Sequence, residues 1–312
     1  MSFDGVVFAG QGTQNLGMGK DFVELYPEAK EIFQIAYDEL AFDVYDICQN
    51  DEEKLNITEY TQPCIVTVEI AIFNVLNKHY NFEPIFFAGH SLGEYAALIA
   101  SQVIPFNIAI KIIHFRGQLM QAATQTSKSA GMLAVIIDPM PLAEIKKIAS
   151  LYDVDVANYN SKQQIVLSGY NDGLNSTVEN LQKINFNQPM RIVPLAVKAP
   201  FHSRYMQSIE KEFYNYLKQY SKQFNLHNLT KVISNYFGGF YPNSEINTLL
   251  DGLTKQISGS VQWIENMKNL LEHTTKILEI GPFAPLRGFF KSEGVNIQSI
   301  TNVKSINKVF ES

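Results

Sequence analysis

The sequence predicts an α/β protein: a large part built on a parallel sheet, interrupted by a smaller ferredoxin-like unit. Three observations carry this. The apolar runs GVVF (Gly5 to Phe8), IFFA (Ile85 to Ala88) and KILEIG (Lys276 to Gly281) each end in a glycine-containing turn before helical spacing resumes. Between Met132 and Leu195 the elements read β-α-β-β-α-β, the ferredoxin-like order. In FFAGHSLGEYAAL, a serine stands between two glycines where strand gives way to helix.

GVVF opens the chain as a buried strand, closed by AGQGTQNLGMG. From Thr61 to Tyr80, Ile65, Val68, Ile72 and Val75 recur at helical spacing, with Pro63 expected in the first turn, where its missing N–H costs little. IFFA is a strand and LGEYAALIA a helix. Pro105 to Thr124 is a helix with Ile108, Ile112, Phe115 and Leu119 on one face. The inserted unit comprises strand Met132 to Ile137, helix Pro141 to Tyr152, strands Val154 to Tyr159 and Gln164 to Gly169, helix Asp172 to Ile184, and strand Met190 to Leu195. A helix from Ser203, a strand at Lys231 to Ser234 and helices through Leu270 follow. KILEIG and a final helix from Ala284 complete the expectation.

The 312 residues suffice for two modest domains or one with an insert, and 46% hydrophobic against 18% charged residues excludes a disordered chain. A net charge of -6 without a basic block argues against nucleic-acid binding. Cys48 and Cys64 form no CxxC pair and read as free thiols of a reducing cytoplasm. The amino terminus lacks a basic flank and apolar stretch, so it is no signal peptide, and no run approaches the ~20 apolar residues of a membrane span.

The GxSxG turn reads as a nucleophile elbow. Its glycines relieve crowding, and Ser91 is left at a helix amino terminus, where the Leu92 N–H is unpaired. Glu94 could orient the site, but the preferred reading is a first-turn carboxylate favourable to the helix dipole, and His90 reads as structural. A serine needs a base. Of His79, His90, His114, His202, His227 and His273, His202 is favoured modestly, because it starts a helix straight after the insert. Gly10 and Gly12 fail the phosphate-loop spacings, leaving either a plain turn or a loop whose Gln11 N–H serves an oxyanion hole. Arg116 in apolar company needs an anion, either an internal carboxylate or that of a substrate. Arg287 and Lys291, four apart, could meet an acidic partner but read first as a solvated basic face.

FAGQGTQ, GHSLGEY, RGQLMQ, GMLAVI, NYNSKQQIVLSG, PFHS and EIGP together resemble, in order and spacing, the motifs of the malonyl-CoA:acyl carrier protein transacylases, whose relatives include polyketide synthase acyltransferase domains. The resemblance spans Gly5 to about Ser292. It implies a hydrolase-like large subdomain (1–125 and 198–312), an inserted ferredoxin-like small subdomain (126–197), and an active site in the cleft between them. It also implies that Ser91 accepts the acyl group, His202 is its base, and the Gln11 and Leu92 N–H groups form the oxyanion hole. Arg116 then holds the malonyl carboxylate, Asn160 lies near the catalytic histidine, and the backbone carbonyl of Gln256 orients that histidine. Phe201 matches malonyl-selective members. Pro200, Ser260 and Gln262 depart from the family's usual residues.

The implied reaction moves malonyl from malonyl-CoA to the phosphopantetheine thiol of an acyl carrier protein, with no metal and no cofactor of its own. A cytoplasmic monomer is the default that goes with it, and the chain's start and end suggest a freestanding enzyme. The alternatives are an acyl hydrolase of the same fold and a non-catalytic carrier-docking module.

Overall fold

The computed structural model describes residues 2–123 and 128–311. Strand β1 (Gly5–Phe8) is buried throughout, with Val6 and Phe8 in one core and Val7 in another. A strand covered on both faces needs no polar alternation, which is why GVVF is apolar along its length. β2 (Phe86–Gly89) follows, then β3 (Ala130–Ile136), β4 (Asp155–Ser161), β5 (Gln164–Tyr170) and β6 (Arg191–Pro194). The strand pair β7 (Ile233–Ser234) and β8 (Gly239–Phe240) precedes β9 (Ile277–Ile280) and β10 (Gln298–Ile300).

The larger sheet has the order β10-β9-β1-β2, every neighbouring pair parallel. Val232 adds a parallel bridge to Phe87 at the β2 edge. Its register sets Phe8 level with Gly89 and Ile280, so the three following loops leave the sheet at one end. That carboxyl end is where open parallel sheets bind their ligands. Helices Thr58–Tyr80 and Phe106–Ala122 pack on one face; Trp263–Leu271 and Leu286–Ser292 pack on the other.

The smaller sheet runs β6-β3-β5-β4, all antiparallel, as a ferredoxin-like unit should. Helices Leu142–Leu151 and Asn171–Lys183 cover one face, closing Ile145, Leu174 and Leu181 over Val135, Ile165 and Leu167. Met132, Ala134, Ala157 and Val166 instead join the core of the larger part. The period-two alternation of β3 and β5 thus ties two layers together.

Three expectations need correction. The helix expected at Thr61 begins at Thr58, so Pro63 lies past the first turn and removes an interior helix bond. The bond is expendable because nearly every neighbour on that helix is buried, each large apolar side chain adding about 1.5–3 kcal/mol. The helix expected from Ala284 spans Leu286–Ser292 and is not the last: β10 and the helix Val303–Phe310 follow. β10 is too short to show a period, but Asn302 and Ser305 form a reciprocal capping box that marks the final helix in the sequence. The amino-terminal helices from Lys20 to Leu55 were also unassigned, although Asp43 and Asp51 cap two of them.

The expected helix end at Thr124 and the expected boundary at 125/126 lie outside the described residues. Cys48 and Cys64 are buried and unbridged. Among the described residues no helix is long and apolar enough to cross a membrane.

Candidate active site

The elbow after β2 is built by close approach. A Cβ on Gly89 would meet the Gly93 backbone at 2.0 Å, and one on Gly93 would meet the Phe8 carbonyl at 2.3 Å. Neither position tolerates a side chain, so the turn comes tight against β1. Ser91 itself takes φ 51°, left-handed for a residue that is not glycine, a strain of about 1–3 kcal/mol typical of functional turns. His202 is strained likewise, at φ 54°.

These two strained residues meet. Ser91 Oγ lies 2.6 Å from His202 Nε2, and His202 Nδ1 lies 2.8 Å from the Gln256 backbone oxygen. A carbonyl only accepts, so Nδ1 carries the proton and Nε2 is left as the acceptor for the serine hydroxyl. Burial, with the Arg116 charge beside it, pushes the His202 imidazole down from 6.5 to about 3. The histidine is therefore a neutral base across the physiological range.

Arg116 is 1% exposed. Among the described residues no carboxylate pairs with it directly, although Glu94 lies close enough to favour its charge. Its Nη1 donates to Gln62 Oε1 at 2.8 Å and its Nη2 to Gln256 Oε1 at 3.0 Å, with Ser91 Oγ 3.4 Å from Nη2. The Tyr95 ring lies beneath it, 5.3 Å away. Its Nε is buried without a partner. A cation held by neutral amides next to a nucleophile is ready for an anionic substrate group.

The Gln11 side chain donates to Thr58 Oγ1 at 3.3 Å. No hydrogen bond from the backbone N–H of Gln11 or Leu92 is found among the described residues. Phe201 is 6% exposed and packs in the main core beside His202. Asn160 Oδ1 lies 2.7 Å from Nε2 of His90, the histidine next to the serine. His90 packs against Trp263, as a structural histidine should. His79, His227 and His273 are exposed, and His114 pairs with Glu59. Arg287 and Lys291 are exposed.

Residues 6–238 match the family described as the acyl transferase domain. The malonyl CoA-acyl carrier protein transacylase of Staphylococcus aureus (strain COL) is 33% identical over 317 residues, 99% of each chain. The chain belongs to the malonyl CoA-acyl carrier protein transacylases. The crystal structure of the Clostridium perfringens transacylase superposes with a TM-score of 0.87 at 35% identity, covering 98% of this chain and 96% of that one. A malonyl-transacylase solved in complex with a type II PKS acyl-carrier protein gives 0.90 at 28% identity, covering 100% and 99%.

The sequence reading missed several residues that this transacylase places around its serine. Gln62, a buried glutamine one residue before Pro63 on a helix whose next residues are apolar, was a visible signal. Asn235 had none: its Oδ1 accepts from the Ser91 N–H at 3.2 Å and its Nδ2 donates to the Gly89 carbonyl at 2.8 Å. Glu94, whose preferred reading is a first-turn carboxylate favourable to the helix dipole, is fully buried and accepts from Asn235, Tyr241 and Gln256. The Ser260 hydroxyl, one of the departures from the family pattern, donates to the Val156 carbonyl at 2.6 Å and leaves the Gln256 backbone bond to His202 intact.

Proposed function

We infer that this acyltransferase moves a malonyl group from malonyl-CoA onto the phosphopantetheine thiol of an acyl carrier protein through a malonyl ester on Ser91. The observation that carries this is a single hydroxyl touched by a neutral imidazole at 2.6 Å and approached by a buried guanidinium that, among the described residues, has no direct carboxylate partner. Arg116 receives the malonyl carboxylate. Ser91 Oγ attacks the thioester carbonyl while its proton passes to His202 Nε2, and the oxyanion forms against the Gln11 and Leu92 N–H groups. As the C–S bond breaks, His202 returns the proton to the leaving CoA sulfur. The carrier thiol then attacks the ester, giving its proton to His202, which hands it back to Ser91 Oγ. The chemistry calls for no cofactor on this chain.

Phe201 fills the space a branching methyl would need, a preference worth about 1–3 kcal/mol. The cleft walls are the large subdomain (1–125, 198–312) and the small one (126–197). A cytoplasmic monomer meeting its carrier as a separate protein fits this reading.

The test mixes the enzyme, malonyl-CoA and a phosphopantetheinylated carrier protein, and weighs both proteins by intact mass. Malonyl on Ser91 and then on the carrier is the expected result. Free malonate with an unloaded carrier would turn the reading to hydrolysis, against which Arg116 stands, since a hydrolase of neutral acyl chains gains nothing from it.

A further inference from the structure

We propose that Glu94 is a positioning residue of this site, holding the serine elbow, the carbonyl that orients His202 and the substrate-binding arginine in one arrangement through Asn235 and Gln256. Glu94 Oε2 accepts from the Asn235 N–H at 2.9 Å, from Asn235 Nδ2 at 2.6 Å and from Gln256 Nε2 at 2.7 Å, while Oε1 accepts from the Tyr241 hydroxyl at 2.6 Å. Every partner is a donor, and a carboxylate can only accept. The four bonds are satisfied together by the ionised form.

Asn235, fixed this way, grips both ends of the elbow, at the Gly89 carbonyl and the Ser91 N–H. Gln256 is fixed in two respects. Its Nε2 also donates to the Ser91 carbonyl at 3.0 Å, and its own backbone oxygen is the acceptor for His202 Nδ1. Its Oε1 meets Arg116, which can only donate, so the amide has one permitted orientation: oxygen to the cation, nitrogen to the anion. Glu94 is thus the negative charge that balances buried Arg116 from one amide away. A direct salt bridge would occupy the guanidinium; relaying the charge through Gln256 leaves Arg116 bonded only to neutral groups among the described residues. Burial holds the Glu94 carboxyl above the ordinary carboxylate range, and the four donors pull it back toward the ionised form.

This assignment rests on the reading of Ser91 as the nucleophile for malonyl, and the test keeps the two apart. Ser91 of the full chain is labelled with a fluorophosphonate, which reports serine activation without any acyl substrate. Rates are followed by intact mass for wild type, Glu94→Gln and Tyr241→Phe, with circular dichroism as the check of fold and steady-state kinetics on malonyl-CoA alongside. Glu94→Gln keeps the shape but sets an amide donor or a weaker acceptor against donors. It should stay folded, label about 10-fold or more slowly, and lose kcat while the KM for malonyl-CoA changes little. Tyr241→Phe should show a smaller loss of the same kind.

A folded Glu94→Gln that labels at the wild-type rate overturns the proposal, as does a raised KM with kcat intact. If that variant does not fold, Tyr241→Phe decides, and an unchanged labelling rate there overturns it equally. A wild type that takes the phosphonate on Ser91 but never malonyl sinks the transferase reading, while the labelling comparison still judges Glu94.

Discussion

His202 shows what burial does to a single residue. Desolvation and the neighbouring Arg116 charge hold its imidazole neutral far below the ordinary histidine range, at about 3. Charge would have to enter a low-dielectric site already holding a guanidinium, so protonation waits for strong acid. The acid limb of kcat/KM for malonyl-CoA should therefore lie well below pH 6, in a profile that reports the free enzyme. A limb near 6.5 would mean an imidazole in contact with water. For Arg116, replacement by alanine should remove about 2–5 kcal/mol of malonyl binding in the transition state, while acetyl loading falls far less. Competitive loading from malonyl- and acetyl-CoA, read as adduct masses, checks it; equal losses would remove the carboxylate clamp from the account.

At the scale of the element, the helix Thr58–Tyr80 carries a cost at Glu69. That carboxyl is fully buried, and among the described residues neither oxygen has a hydrogen bond of good geometry, although the Ala9 N–H favours its ionised form. Burial pushes it well above the ordinary carboxylate range, and Glu279 nearby pushes the same way. Glu279 is itself raised to about 7 by burial, despite N–H donors from Leu286 and Arg287. The sign follows from linkage. Above the ordinary value of 4.5 the folded chain keeps a proton on Glu69 that the unfolded chain has released. Each pH unit up to the raised value therefore subtracts up to about 1.4 kcal/mol of stability. Glu69→Gln lacks that slope, so its Tm relative to wild type should rise between pH 5 and pH 8. A difference that stays constant with pH would show the carboxyl titrating normally in the fold.

For the whole molecule, the two sheets meet along a narrow seam beside the active site. Asn160 of β4 holds His90 of the elbow, Tyr159 N–H and Val261 N–H exchange backbone bonds with Val261 and Ala157, and Arg204 pairs with Asp155. The exposed ion pair adds little, by the usual worth of surface pairs. The half-buried His90–Asn160 bond matters more, because Asn160→Ala removes the partner of a ring nitrogen that is largely shielded from water. That variant should lose about 1–3 kcal/mol of stability, read as a lower Tm. An unchanged Tm would show the seam held by backbone and apolar contacts alone.

Much of this was legible because some chemistry is local. GHSLG specifies its own turn: both glycines are demanded by backbone within a few residues or on the adjacent strand, and the serine between them has nowhere else to point. The β-α-β-β-α-β order and the apolar strands were equally visible, since burial on one face or two leaves a period of its own. Asn235, Tyr241 and the role of Glu94 were not, because a polar side chain shows no sign in sequence of whether its partner is water or a residue some 140 positions away.

The sequence by itself determined the strained serine, the covered strands and the kind of residue able to bind an anion. Only the tertiary structure decided which histidine meets Ser91, that Arg116 has no direct carboxylate partner among the described residues, and that Asn160 bonds to His90. Those are questions of distance between segments far apart in the chain, and hydrogen bonds and charges act over a few ångströms in space, whatever the separation in sequence.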